Sequence, residues 1–378
     1  AHGTVVQGNY LGTNAAGGAA LANAGDGIDV RSAGNTIGGT AAADRNVLSG
    51  NGDDGIELYG AGAFNNVVLG NYVGADAAGT AAVANAGSGI HIYGGANTNT
   101  IGGAAAGAGN VVSGNQADGI TISGVAGNRI LGNRIGPNAA GTAALAGNQF
   151  SGISITNSAN NIIGAAGAGN LISGNDGAGG AGFGISITAT VPAAATGNII
   201  QANYVGTDLS GTASIANGSG IYVTNTTANT IGGAGAGEGN LVSGNATGDG
   251  IGLIDGGSHV VRGNRVGTDA AGTAALANAA RGIFVSNSAN NVIGGTGAAG
   301  NVVSGNTQAG VYVTGAGATG NVLRGNRIGT DAGGTLSLGN GAGNEGGGVW
   351  IGGGATGATI GGTGAGEGNT IANNYGNG

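Results

Sequence analysis

The chain contains no cysteine, no methionine and no lysine, and only two prolines among its 378 residues. Without cysteine it has no disulfide framework and no thiolate for a zinc or redox centre, and His2, His91 and His259 lie too far apart to supply zinc-ligand spacing. Charged residues make up 7% of the chain, too few for the charged outer faces of a soluble helical domain. Nine arginines against 17 acidic residues leave a net charge of −8, which excludes a generic nucleic-acid footprint. No apolar run approaches the roughly 20 residues of a membrane span, and no signal peptide is visible. With alanine in place of an initiator methionine, the reading expects a processed or excised piece.

What the chain has in excess is glycine, 94 residues of it, and repetition. There is no strict Gly-X-Y register, so the glycine is not collagen's. The phrase Asn-[Tyr/Arg]-hydrophobic-Gly recurs with its asparagine at Asn9, Asn71, Asn133, Asn203, Asn264 and Asn326, intervals of 62, 62, 70, 61 and 62 residues. A second phrase, Asn-[Val/Leu]-[Val/Leu/Ile]-Ser-Gly-Asn, keeps the same beat from Asn46, Asn110, Asn170, Asn240 and Asn301, with a worn copy at Asn369. A third, Gly-[Ile/Val]-x-[Ile/Val/Leu], appears at about twice that frequency, so each 62-residue unit holds two coils. Apolar residues two apart share one face of a strand, which here must be the interior of a solenoid.

Each coil reads as three short strands. In one unit they are predicted at 89–92, 99–102 and 110–113, and in the next coil at 119–122, 128–131 and 133–136. Inserts such as 104–108 and 137–146 absorb the remaining length. These inserts are alanine-rich but interrupted by glycine, so at most they turn once. Glycine is expected to supply the positive-φ corners with asparagine as its substitute, and stacked asparagines are expected to form side-chain ladders along the rod. The fold class is therefore all-β, a parallel β-helix over residues 1–378 as one domain. It has about twelve three-strand coils and a length of about 55 to 60 Å at roughly 4.8 Å per coil. Both ends fall in mid-coil, so the reading expects either that the array continues in a longer polypeptide or that copies stack end to end.

Through its Gly-Ile-x-Ile strands, asparagine turns and three-strand coil, the chain resembles the pectate lyase-like right-handed parallel β-helix superfamily. The reiterated Gly-Thr-Asp-Ala-Ala-Gly-Thr-Ala-Ala-Leu-Ala-Asn of 267–278, followed by Gly-Ile-x-Val, resembles repeats of large secreted bacterial surface proteins. The resemblance implies the right-handed fold. It leaves activity open, because that superfamily holds lyases, hydrolases, epimerases, adhesins and non-catalytic fibres alike.

If the Gly-Ile strands stack in register, their outward residues form one column: Asp29, Glu57, His91, Thr121, Ser154, Ser186, Tyr222, Gly252, Phe284, Tyr312 and Trp350. A second column, two residues further on, adds Arg31, Tyr59 and Tyr93. Asp29, Glu57 and His91, with Asp26, Asp53, Asp54, Arg31 and Tyr59 nearby, are the fallback catalytic candidates, since paired carboxylates in different environments divide acid and base roles. Asp54 shares its repeat position with Asp118 and Asp249, where a turn residue is sufficient explanation. Tyr222, Phe284, Tyr312 and Trp350 are the candidate binding surface for a glycan or a cell-surface protein.

Asp76, Asp208, Asp269 and Asp331 tempt a calcium reading, but successive copies fall two coils apart, roughly 10 Å, so turn capping is expected. The Ser/Thr ranks at Thr121, Ser123, Ser154, Thr156, Ser186 and Thr188 are too few and too mixed for an ice-binding face. The largest departures from the repeat, at 177–182, 188–196 and 336–347, gather no group of ionisable residues. The reading is thus a non-catalytic extracellular structural repeat protein, a fibre subunit or adhesin stalk assembling with itself. No metal or cofactor is expected. The alternative is a polysaccharide-active lyase or hydrolase working on the Asp29/Glu57/His91 face.

Overall fold

The computed structural model describes residues 2–145, 147–177, 182–341 and 346–377. Parts of the inserts at 137–146, 177–182 and 336–347 thus lie outside the described residues. Three parallel sheets run the length of the molecule, the first with 11 strands and the second and third with 12 each. The first sheet begins at Ile28–Val30 and ends at Val349–Gly352, the second runs from Val5–Val6 to Thr359–Ile360, and the third from Tyr10–Leu11 to Thr370–Ile371. One strand of each sheet makes one coil, and the chain is a right-handed parallel β-helix. The predicted strands form at Ile90–Tyr93, Thr100–Gly102 and Val111–Val112, then at Ile120–Ser123, Arg129–Leu131 and Arg134–Ile135. There is no α-helix among the described residues. The inserts hold 3-10 turns at Ala42–Asp44 and Gly297–Ala299, and the 188–196 loop holds Pro192–Ala195.

Register follows from the period-two pattern. Ile90 pairs with Ile120, Ile120 with Ile153 and Ile153 with Ile185, so the same side chain faces inward on every coil. A slip of one residue would turn every isoleucine out to solvent. Ile90, Ile92, Ile120, Ile122, Ile153 and Ile155 are fully buried, and burying each side chain contributes about 1.5–3 kcal/mol.

Asparagine holds the corners in three columns. Before the third sheet, each side-chain amide donates to the Oδ1 of the next coil's asparagine: Asn71 to Asn110 at 3.1 Å, Asn110 to Asn133 at 2.9 Å, Asn133 to Asn170 at 3.0 Å. The same Oδ1 also accepts the neighbour's backbone N–H, as Asn133 does from Asn110 at 3.0 Å. A column after the third sheet behaves alike, through Asn85, Asn115, Asn148 and Asn175. The column before the second sheet runs through Asn99, Asn128, Asn161 and Asn198, and contains one foreign member, His259. Positive φ belongs to a different set, including Asn65, Asn157, Asn160, Asn225 and Asn287. The two roles expected of asparagine therefore fall on separate sets of residues.

The longer inserts explain why the period is 62 residues. On alternate coils the chain leaves the third sheet as a hairpin, closed by bridges such as Pro137 to Ala144 and Thr268 to Ala275. These hairpins stack on one another across two coils, through Ala139 N–H to Gly79 at 2.9 Å, Leu209 to Gly141 at 2.9 Å, Ala270 to Gly211 at 2.9 Å and Ala332 to Gly272 at 2.7 Å. They roof the outer face of the third sheet, where Tyr72, Ala75, Val111 and Leu145 form a satellite apolar cluster.

The repeated aspartate caps each hairpin. Asp76 Oδ1 accepts the amides of Thr80 at 2.7 Å and Ala81 at 3.0 Å, and Asp269 those of Thr273 and Ala274 at 2.7 and 3.1 Å. Burial alone would raise the Asp269 and Asp208 carboxyls, but these hydrogen bonds hold both below the ordinary range; for Asp331 the Leu336 amide has the largest such effect.

Candidate functional site

With the third sheet roofed, the open sheet carrying ionisable side chains in register is the first. Its pairing sets Asp29 beside Glu57, Glu57 beside His91, His91 beside Thr121, and so on to Tyr312 beside Trp350. The column expected from the sequence therefore exists. Its members differ in exposure: Asp29 and Trp350 are exposed, His91 is half-buried, and Glu57 is buried at 8% exposure although it points away from the core.

Glu57 is buried because its neighbours close over it. Tyr93, in the second column, donates its hydroxyl to Glu57 Oε2 at 2.9 Å, and Arg31 approaches Oε1 at 3.8 Å. Arg31 binds Asp29 through Nε at 2.7 Å and lies over the Tyr59 ring at 5.0 Å. Tyr59 and Tyr93 meet at 4.7 Å, and His91 stacks on Tyr93 at 4.2 Å. His91 Nδ1 reaches Asp54 Oδ2 at 3.1 Å. Burial, then the hydrogen bond to Glu57 and its charge, push the Tyr93 phenol up to about 12, so it is a protonated donor at neutral pH.

Asp54 does more than turn the chain. Its Oδ1 accepts the Ser88 amide of the next coil at 2.6 Å, as Asp118 accepts Ser151 at 2.7 Å and Asp249 accepts Arg281 at 2.9 Å. The repeat position is thus an inter-coil staple whose second oxygen is available to the outward column. That oxygen meets His91 at Asp54, Thr121 at 3.2 Å at Asp118, and the Tyr222 hydroxyl at 2.6 Å at Asp249.

Asp26 completes the acidic group: one oxygen each from Asp26, Asp54 and Glu57 lie within 4.8 Å of one another. Burial raises the Asp26 carboxyl, and the charges of Glu57, Asp54 and Asp53 add to the effect. The Asp54 amide, which donates to Asp26 Oδ1 at 2.9 Å, works against that rise, and the Arg31 guanidinium lies beside Asp29 and Glu57. Asp53 is exposed beside the group.

Two features escaped sequence reading. Tyr93 was placed beside the cluster but not within it, and Asp26 was not seen to face Glu57. Column register could have indicated Tyr93; the Asp26 approach depends on how the corner folds.

The aromatic residues divide into two groups. Tyr222 packs against Phe183 at 4.9 Å, with its hydroxyl held by Asp249, and its ring occupies the space over Gly252, where any Cβ would come within 2.7 Å. Gly252 thus parts it from Phe284, Tyr312 and Trp350. Those three overlap in sequence along the rod, Phe284 to Tyr312 at 5.8 Å and Tyr312 to Trp350 at 5.0 Å, with the Arg281 guanidinium 4.4 Å from the Phe284 centroid. Rings stacked on each other cover one another's faces, and Trp350, 42% exposed, is the most open of the set. Beside the middle of the column hydroxyls pair across coils, the corner Ser88 with Thr121 at 2.9 Å and, two residues further along the strands, Thr156 with Thr188 at 3.3 Å.

No helix among the described residues is long and apolar enough to cross a membrane. No protein-family model matches the chain, and no curated protein matches it in sequence. Among solved structures, this chain spans 61% of a point mutant of the periplasmic alginate epimerase AlgG, with 86% of its own length covered, 14% identity and a TM-score of 0.41. It is similar in fold to the DFA-IIIase of Arthrobacter chlorophenolicus, with a TM-score of 0.50, 14% identity, and 87% of this chain and 79% of that one covered. It is likewise similar to the A-module of the mannuronan C-5 epimerase AlgE4 of Azotobacter vinelandii, with a TM-score of 0.53, 12% identity, and 98% and 91% covered. At such identities the likeness establishes the right-handed parallel β-helix, and the fold alone.

Proposed function

We propose that this chain is a non-catalytic structural rod of an extracellular or cell-surface assembly, a fibre or stalk element. The observation that carries the reading is the equivalence of its coils: the asparagine columns and the hairpin stack repeat from coil to coil in one register through the described residues. The charged cluster supports the same conclusion. Asp29, Glu57, Asp54 and His91 are already paired with one another, with Arg31 or with Tyr93. The cavity beside them, about 180 Å³, is lined by Thr4, Val6, Asn35, Ile37 and residues 28–32, and by neither Glu57 nor His91. Self-assembly belongs to this reading. Along the ladder before the third sheet the side-chain amides donate toward the higher-numbered coil, from Asn9 to Asn46 at 2.9 Å through to Asn326 to Asn369 at 3.0 Å, so the rod has a polarity that favours head-to-tail stacking.

The second reading is a polysaccharide-active enzyme on the Asp29/Glu57/His91 face, favoured by the Asp54-held imidazole stacked on a protonated Tyr93. Base and donor would stand side by side, as proton abstraction next to a carbonyl requires. The epimerase and the DFA-IIIase named above share the fold and act on carbohydrate. One experiment separates the two readings. The protein is incubated with mannuronan, other uronans and fructans, following unsaturated product, reducing ends and epimerisation by NMR, while electron microscopy across a concentration series follows assembly. Absence of turnover with rods or filaments is expected. Turnover abolished by Tyr93→Phe and by Glu57→Gln would overturn the structural role.

A further inference from the structure

A second surface, on the opposite side from the ionisable column, carries unused positive charge. Arg265 and Arg327 start the third-sheet strands Arg265–Val266 and Arg327–Ile328, with Val302–Val303 between them. Two coils separate the arginines, about 10 Å. Both side chains emerge beneath the hairpin column: a Cβ on Gly272 would lie 3.1 Å from Arg265 Nε, and one on Gly334 would lie 3.4 Å from Arg327 Nε. Beyond the hairpins they enter a groove along the rod, walled on one side by the hairpin residues Leu209 and Ala332 and on the other by glycine-rich corner inserts. Its two segments, about 380 and 260 Å³, share Gly237, Gly239 and Arg265, and Tyr204 lies in the first.

Neither guanidinium has a hydrogen-bond, ion-pair or ring partner among the described residues. The carboxylates of the flanking loops are committed elsewhere. Glu238 accepts the Gly235 amide at 2.7 Å, Asp269 caps its own hairpin, and Asp331 accepts Thr335 and Leu336 at 2.6 and 2.7 Å. In a chain of net charge −8, the groove thus brings two arginines to one surface with no carboxylate among the described residues bonded to either.

We propose that this groove binds an extended, carboxylate-bearing linear glycan, a role that goes beyond the structural rod proposed above and does not depend on it. A planar guanidinium takes a carboxylate through two parallel hydrogen bonds, and glycine walls let a polymer lie close to backbone amides. The Tyr204 ring offers a surface for the apolar face of a sugar. A polynucleotide fits less well. Its affinity rests on neutralising many successive phosphates, and two arginines on a chain of net charge −8 supply few such contacts.

The test is calorimetric titration of the whole chain with a size series of linear oligouronates, against neutral oligoglucans of equal length and single-stranded oligothymidylate, at low and moderate salt. Oligouronates long enough to span both arginines are expected to bind and to weaken with salt. Arg265→Gln and Arg327→Gln should each lower affinity about tenfold. Arg129→Gln, at an exposed arginine on the second sheet, should leave it unchanged. Arg265→Lys keeps the charge and most of the stem, so recovery of part of the affinity distinguishes a lost charge from a lost fold. No binding, equal binding of oligothymidylate, or undiminished binding by both Gln variants would overturn the proposal.

Discussion

His259 stands in a column where every other member from Asn35 to Asn321 is asparagine. Its Nδ1 accepts the Asn229 amide at 3.2 Å and its backbone N–H donates to Asn291, so the column survives, but the imidazole must stay neutral. Burial lowers it to about 4. The unfolded chain takes up a proton near pH 6.5 that the folded chain refuses until about pH 4, so stability is lost as pH falls through that window. The loss reaches roughly 3 kcal/mol at most. His259→Asn restores an amide able to accept from Asn229 and donate to Asn291. Denaturant midpoints at pH 7 and pH 4.5 are expected to differ less in this variant than in the parent; an equal difference would mean that another group sets the acid sensitivity. The position was legible in the sequence, since His259 precedes Val260 as Asn128 precedes Arg129. Its burial was not, because nothing local distinguishes a ladder member from a corner residue.

Among the elements, the hairpins do what the sequence did not anticipate: they bond to each other rather than hang free. Glycine makes this possible at one point in each hairpin. Gly272 has φ +72°, and a Cβ there would lie 2.7 Å from the Ala332 Cβ of the next hairpin. Gly272→Ala is expected to destabilise by about 1–3 kcal/mol, from left-handed backbone strain together with overpacking. Gly18, in the first hairpin, has open space around its Cβ position, and Gly18→Ala should be neutral or slightly stabilising. Thermal midpoints of the two variants decide it, and equal shifts would show that the hairpin stack is not under steric constraint. The aspartate caps were readable from spacing, because an Asx cap is a local event. Stacking of hairpins is a contact between residues about 60 apart.

For the whole molecule, each coil touches its immediate neighbours, and the hairpins and the glycine-rich corner inserts, such as Gly107 against Thr40, reach the second coil away. Stability is then close to a sum over coil interfaces. Native-state hydrogen exchange is expected to show graded protection, highest in central strands such as Ile153–Thr156 and Phe183–Thr188, and falling toward either end of the stack. Uniform protection along the rod would mean that the hairpin column makes the array a single cooperative unit.

The sequence by itself determined the solenoid, its register and its columns. Period-two isoleucines must share one interior, and identical coils can stack in only one register without exposing them. It also determined the capped hairpin turns, which are local. Only the tertiary structure decided that Glu57 is covered by Tyr93, that Tyr222 belongs with Phe183, and that the hairpins roof the third sheet and leave Arg265 and Arg327 in a groove. The reason is geometric. Register dictates which residues are neighbours along a column, whereas the direction a side chain leans, and which loop folds over it, depend on contacts between separate coils and loops that no single repeat contains.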